Sequence, residues 1–372
     1  MRPVRNTVRL GIVGAGIMGS AHARSILAGN APRLCLAAIC DGRAGRLDLP
    51  PAVKVFPDSR QLIRSGEVDA VLIATPHYSH TSIGIDALDQ GLHVLVEKPI
   101  SVHKRDCEKL IAAHHAREKQ AFAAMFNQRT DPFYQKIRAL IREGELGEIR
   151  RINWIITNWF RTAAYYSSAA WRATWAGEGG GILLNQCPHN LDLLQWLFGM
   201  PVRVRAFCGF GRYHDIEVED DVTAYLEFQN GATGVFIAST GEAPGANRLE
   251  IAAERGKVIY ENERLTFTRN EVAMTEFSRA SDQGFAMPPS ADVSIPLSGH
   301  GAQHLGILNN FADAILDGAP LIAPAEEGIH SVELANAMLY STFTGKTVEL
   351  PLDGAAYERH LKERIAASNA TP

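Results

Sequence analysis

Two short stretches of this 372-residue chain set proton-handling groups at the ends of apolar runs. Glu97-Lys98-Pro99 follows HVLV, which puts a lysine at the end of a buried strand. A lysine ordinarily titrates near about 10.4, and desolvation or a nearby cation lowers it until it can exchange a proton with a hydroxyl. The second stretch, residues 183–192, reads LLNQCPHNLD and follows Gly179, Gly180 and Gly181. It brings an amide, an imidazole and a carboxylate to the threshold of the apolar run LLQWLF. Pro188 cannot sit deep in a helix, so the helix begins close to it. Asn185 then falls at or just before the cap and His189 in the first turn. Asp192 lies three residues further on, shares a face with His189, and could fix its tautomer. Taken alone, the lysine is a surface residue and the histidine a satisfied core group. Taken with a cofactor site, Lys98 and His189 become candidate catalytic residues.

That cofactor site is legible near the N-terminus. Gly14-Ala15-Gly16-Ile17-Met18-Gly19 is a G-x-G-x-x-G run that follows an apolar strand and opens a helical pattern. Gly14 makes the tight turn, Gly16 admits a pyrophosphate, and Gly19 lets helix and strand pack closely. Asp41 ends the second strand, LAAIC, where an acid hydrogen-bonds a ribose 2′-hydroxyl and repels a 2′-phosphate. NAD is therefore expected over NADP, although Arg43 could still receive a phosphate. Thr75 and Pro76 end the third strand, on the side where ligands bind, and His77 and His80 follow them. Thr75, Pro76, His80, Glu97 and Lys98 complete the expected cofactor contacts.

The elements that must hold these groups alternate. Apolar runs at 8–13, 34–40, 70–74, 93–96 and 121–126 read as strands, with helical spacing at 17–28, 82–90 and 105–119. This pattern calls for βαβ units and a parallel sheet. After residue 126 the texture changes. A helix at 132–142 leads into a segment rich in Trp, Tyr and Arg, then into LLNQCPHNLD and its helix. Residues 203–269 alternate apolar and polar, with Asn230-Gly231 as a hairpin turn. They read as an antiparallel sheet covered by helices on one face. Residues 281–300 read as a loop, and helices follow near 303–317 and 328–344. The expected domains are 1–126, binding NAD, and 127–372, binding substrate and forming the oligomer contacts. In the second domain, Arg129, Trp159, Arg161, Tyr165, Trp171 and Arg172 join Asn185 and Asp192 as substrate candidates. Aromatic faces stack on the C–H face of a sugar, and guanidinium groups bind hydroxyls or carboxylates.

GIVGAGIMG, ATPHYSH, VEKPIS and GGGILLNQCPHNLD occur in this order. In these motifs the chain resembles the glucose-fructose oxidoreductase, inositol dehydrogenase and MocA family over essentially its whole length. The resemblance implies an N-terminal Rossmann domain and a C-terminal α+β domain with an open, mostly antiparallel sheet. It implies Lys98 as the catalytic lysine and His189 as a second catalytic or substrate-orienting group. Sugars or cyclitols are the implied substrates, and dimers or tetramers form through the sheet. One position departs from the pattern. Many members carry aspartate where Asn185 stands, and asparagine cannot ionise, although it still donates and accepts hydrogen bonds. The expected reaction is oxidation of a secondary hydroxyl. Some relatives instead cleave glycosidic bonds through a transient keto sugar, and a sensing regulator on the same fold is a third reading. Retention of Lys98 and His189 argues against the regulator.

Bulk properties narrow the field further. A net charge of −4 without a Lys/Arg stripe gives no footprint for nucleic acid. No apolar run approaches the roughly 20 residues of a membrane helix. The basic, then apolar, N-terminus superficially resembles a signal peptide but reads better as a strand. Five irregularly spaced cysteines form no disulfide framework, which fits a reducing cytoplasm. Cys187 and His189 lack a second ligand pair and H-E-x-x-H is absent, so no metal site is expected.

Overall fold

The computed structural model describes residues 6–41 and 48–369. The chain forms two compact units, neither continuous in sequence. The first comprises residues 1–130, 177–179 and 301–333; the second comprises residues 131–176, 180–300 and 334–372.

The first unit is built on six strands: β1 (Val8–Val13), β2 (Leu34–Cys40), β3 (Lys54–Phe56), β4 (Ala70–Ile73), β5 (His93–Val96) and β6 (Phe122–Ala124). They pair in the order β3-β2-β1-β4-β5-β6, and every pair is parallel. This is the dinucleotide-binding order, whose switch point lies between β1 and β4. β1, β4 and β5 are almost wholly buried because helices cover both faces, which explains their unbroken apolar runs. The helix Ile17–Leu27 begins straight after the glycine run, as the spacing requires. The helix Tyr78–Asp89 begins four residues before the apolar spacing does, because its first turn carries polar side chains. β6 is an edge strand, and a late segment covers it. Ala124 N donates to Ala323 O, and Ala123 bridges to Pro324. Exposed strand edges invite aberrant pairing, so this cover has a protective role.

The second unit carries nine strands: β7 (Ile149–Ile156), β8 (Arg203–Phe210), β9 (Glu219–Glu227), β10 (Thr233–Ser239), β11 (Asn247–Ala253), β12 (Gly256–Glu261), β13 (Arg264–Asn270), β14 (Ser290–Ile295) and β15 (Val348–Glu349). Their order is β14-β13-β12-β11-β7-β10-β9-β8-β15. Only β7 and β10 run parallel, so the sheet is mixed and mostly antiparallel. Asn230-Gly231 turns β9 into β10, with Gly231 at φ +85°. One face is apolar and covered: Trp154, Ala224, Phe236 and Leu249 are all buried. The other presents Phe207 and Tyr225 to solvent.

Among the elements that escape the sequence pattern, three show why. Residues 281–300 contain β14, an edge strand exposed along nearly its whole length, so burial writes no alternation into it. β7 opens with two exposed arginines and hides its apolar face later. The helix Gly354–Asn369 is too polar to show an apolar stripe.

Trp154 is the largest fully buried side chain, and its Nε1 donates to Asn247 Oδ1 over 3.0 Å. Trp154→Ala removes that volume and strands the Asn247 acceptor. The expected loss is about 3–5 kcal/mol in urea unfolding, and a loss below about 1 kcal/mol would show that the sheet core does not depend on this ring.

Candidate active site

In the first unit, steric limits at the glycine turn fix where a dinucleotide fits. Gly14 has φ +98°, and a β-carbon there would lie 2.6 Å from Ala74 O. At Gly19 a β-carbon would lie 1.8 Å from Gly14 O. At Gly16 it would meet nothing within 4 Å, which leaves open space over the turn. Asp41 Oδ2 accepts from Ala15 N at 2.7 Å, so the acid at the end of β2 reaches the turn itself. Thr75, at the end of β4, keeps a buried hydroxyl with no hydrogen-bond partner among the described residues. A tight turn, an open middle, a carboxylate and a spare hydroxyl together suit a dinucleotide. Arg43 lies outside the described residues.

Lys98 is half-buried at the end of β5, next to Glu97. Glu97 Oε1 lies 2.7 Å from His22 Nε2, and both side chains are buried. The Lys98 backbone N donates to Glu97 Oε2 at 3.2 Å. The His304 ring lies near His22, tilted by 56° with ring centroids 5.6 Å apart. Burial pushes the Glu97 carboxyl up, but the His22 hydrogen bond and the positive charges of His22 and Lys98 outweigh it, and the net position is about 2. Burial also lowers the His304 imidazole, with Lys98 and His22 adding to the effect. His22, on the buried side of the Ile17–Leu27 helix, is the residue that sequence spacing missed; its signal is a histidine three places after Gly19.

Two residues expected to contact ligands are engaged within the fold itself. The sequence puts His80 beside the cofactor, but its ring is buried, with Nδ1 2.8 Å from Pro99 O and Nε2 2.8 Å from Thr75 O. A neutral imidazole has one N–H, so the ring donates to one of these carbonyls and lies against the other; burial lowers its proton affinity, and the two carbonyls oppose that shift. Arg129 is equally enclosed: it is 1% exposed and paired with Glu327 at 2.5 Å, within the first unit. Its charge is answered by a carboxylate of the same unit. His77 Nδ1 lies 3.2 Å from Glu178 O.

In the second unit, a buried carboxylate shapes the approach to His189. Glu219, at the start of β9, accepts from Gly181 N at 2.8 Å and from Leu183 N at 3.0 Å. A β-carbon on Gly181 would lie 2.0 Å from Glu219 O, so this contact requires glycine. The helix Pro188–Phe198 starts with proline in its first turn, as the sequence requires. Its cap is Cys187, which places Asn185 two residues before it. His189 is 8% exposed, and Asp192 is fully buried and accepts from Gln195 Nε2 at 3.1 Å.

The aromatic segment meets this stretch at Tyr165. Arg172 donates to the Tyr165 hydroxyl at 2.7 Å, and Gln186 donates to it at 3.2 Å. That hydroxyl donates to Asn185 Oδ1 over a long 3.5 Å. The Arg161 guanidinium lies over Trp159 and Tyr165, and that of Arg172 lies over Tyr165 and Trp171. Trp159 Nε1 donates to Asn190 Oδ1 at 3.4 Å. Trp171 is 36% exposed, which leaves an aromatic face open. Six of the expected substrate residues (Trp159, Arg161, Tyr165, Trp171, Arg172 and Asn185) therefore form one cluster.

Comparison with known proteins decides the family. Residues 8–125 match the model of the oxidoreductase family with an NAD-binding Rossmann fold. Residues 134–259 match the GFO/IDH/MocA C-terminal domain. The chain belongs to this family. It is therefore an NAD-binding oxidoreductase, and its relatives include the inositol 2-dehydrogenase of Rhizobium meliloti, 24% identical over 92% of this chain and 99% of that one. The myo-inositol 2-dehydrogenase of Thermotoga maritima is 25% identical over 92% of this chain and 98% of that one. Among solved structures, the WlbA dehydrogenase of Chromobacterium violaceum, crystallised with NADH and UDP-GlcNAcA, superposes with a TM-score of 0.79. It is 25% identical and covers 94% of this oxidoreductase and 97% of its own chain.

The low position of Glu97 has a measurable consequence for the oxidoreductase. Folding favours the ionised carboxyl, so its stabilisation is complete above the ordinary 4.5 and fades as pH falls toward about 2. Glu97→Gln is expected to lower the urea midpoint at pH 6, with a deficit that shrinks progressively as pH falls from about 4.5 toward about 2. A deficit of constant size across this range would show that Glu97 is not held ionised.

Proposed function

We propose that this oxidoreductase is an NAD-dependent dehydrogenase of a secondary hydroxyl on a sugar, sugar derivative or cyclitol. The single observation that carries the reading is Lys98, held at the end of β5 by Glu97, in the unit that contains the glycine turn and Asp41. The relatives named for inositol, and the neighbour crystallised with a nucleotide sugar, support the substrate class.

The turn from Gly14 to Gly19, with Asp41, Thr75 and Pro76, would hold the dinucleotide. When bound, NAD supplies a hydride acceptor. The chain's own residues then manage the hydroxyl. Lys98 Nζ takes the hydroxyl proton in its free-amine form, so the protonation of this lysine gates the rate. His189 orients the hydroxyl or relays the proton, and Asp192, one turn along the same helix, keeps the imidazole in register. Asn185 cannot ionise, so it contributes a hydrogen bond rather than a proton.

Lys98→Ala is expected to bind NAD normally by fluorescence and to lose about 10²–10⁴-fold in turnover. Near wild-type turnover would remove Lys98 from the mechanism. NADH formed in proportion to product separates this reading from glycosidic cleavage, which returns the cofactor oxidised.

We also propose a homo-oligomer in a reducing cytoplasm. All five cysteines are free, and among the described residues no helix is long and apolar enough to cross a membrane. The uncovered sheet face, with Phe207 62% exposed and Tyr225 44% exposed, suits a second copy. Light scattering is expected to give a dimer or tetramer, and Phe207→Asp to shift it toward monomer; a wild-type monomer at micromolar concentration would overturn this.

A further inference from the structure

The cluster at Tyr165 carries positive charge that the second unit does not answer. Arg161 lies 5.0 Å and Arg172 4.4 Å from the centre of the same ring. Two like charges at one ring repel, so such an arrangement is stable only with a counter-charge or with water. Among the described residues neither arginine pairs with a carboxylate. Arg161 donates to the carbonyl oxygens of Trp159 and Phe160, and Arg172 donates to Ser168 and Tyr165 hydroxyls.

Carboxylates of the same unit are turned toward backbone instead. Glu217 accepts from Trp175 N at 2.6 Å. Glu219 holds the glycine turn, and Asp220 accepts from the backbone of Arg212, Tyr213 and His214. The arginines are also pre-oriented. Ring faces hold both guanidinium planes, and the Tyr165 hydroxyl ties Arg172 to Asn185 and Gln186. A fork of donors fixed in this way matches an oxyanion, which a guanidinium binds through paired hydrogen bonds.

We propose that the substrate of this dehydrogenase is a sugar bearing an anionic group, a carboxylate or a phosphate, held by Arg161 and Arg172. The proposal rests on the dehydrogenase reading and narrows it. Asn185 belongs to the same network through the Tyr165 hydroxyl: a neutral amide there leaves the guanidiniums available for the ligand, where an aspartate would bring in a counter-charge. The departure at position 185 is thereby tied to substrate charge.

The test uses matched series: glucose, glucuronate and glucose 6-phosphate; galactose, galacturonate and galactose 6-phosphate; and myo-inositol. Two readouts are taken on the NAD-loaded protein, kcat/KM from NADH formation and binding from tryptophan fluorescence. At least one anionic sugar is expected to exceed its neutral parent by about tenfold or more, and the two anionic arms identify the group. Arg172→Gln and Arg161→Gln are expected to bring that ratio toward one. Asn185→Asp is expected to lower it as well, by supplying an internal counter-charge. Wild-type protein gives an arm that needs no substitution. Raising salt from about 50 to about 500 mM is expected to raise KM for the anionic sugar and leave the neutral one nearly unchanged. Equal treatment of neutral and anionic sugars, or a preference indifferent to both arginines and to salt, would overturn the proposal. Arginine-dependent binding of an anionic sugar without NADH formation from any sugar would defeat the dehydrogenase reading and leave the anion site standing.

Discussion

The buried pair between Glu97 and His22 is the contact on which the first unit's chemistry depends. It joins the helix that opens behind the glycine turn to the strand end that bears Lys98. One side of the pair therefore positions the glycine turn, and the other positions the lysine through its own backbone N–H. Neither side chain tolerates loss alone, because removing one partner leaves a buried charge or an unanswered ring nitrogen. His80 is buried in the same region, between the carbonyls of Thr75 and Pro99. His80 and His304 thus lie within electrostatic reach of the lysine, and His22 holds the glutamate next to it.

The second unit relies on an equivalent device of different composition. A buried glutamate, Glu219, holds two backbone N–H groups of the glycine approach, so the sheet that begins at β9 also aims the segment leading to His189. The glycines are required by that approach rather than by flexibility. Gly181 sits where any side chain would strike the Glu219 carbonyl.

Much of this was legible in the residues. The parallel strands announce themselves as apolar runs because both faces are covered, and Pro188 marks its helix start because proline fits only a first turn. The tight turn at Gly14 and the close approach at Gly19 are readable because they are local. What could not be read depends on partners far away in sequence. Arg129 looks like a ligand contact until Glu327 is seen beside it, and His80 looks available until two carbonyls claim its nitrogens. His22 and Glu219 leave only a single polar letter in an otherwise ordinary helix or strand. β14 was hidden for the opposite reason: solvent on nearly all of its residues erases the alternation that marks a strand. The division at residue 126 likewise follows local texture, whereas the first unit takes back 177–179 and 301–333.

That return has a consequence for synthesis. β6 ends at Ala124, but its covering partners, Ala323 and Pro324, come about 200 residues later. At the roughly 5–20 residues per second of translation, the edge waits on the order of ten to forty seconds before its cover has been made. Phe311 and Ile307, which fill the same core, arrive in the same late segment. The nucleotide-binding half is thus first to leave the ribosome and among the last parts to be completed, and an open strand edge must be kept from other chains through that interval.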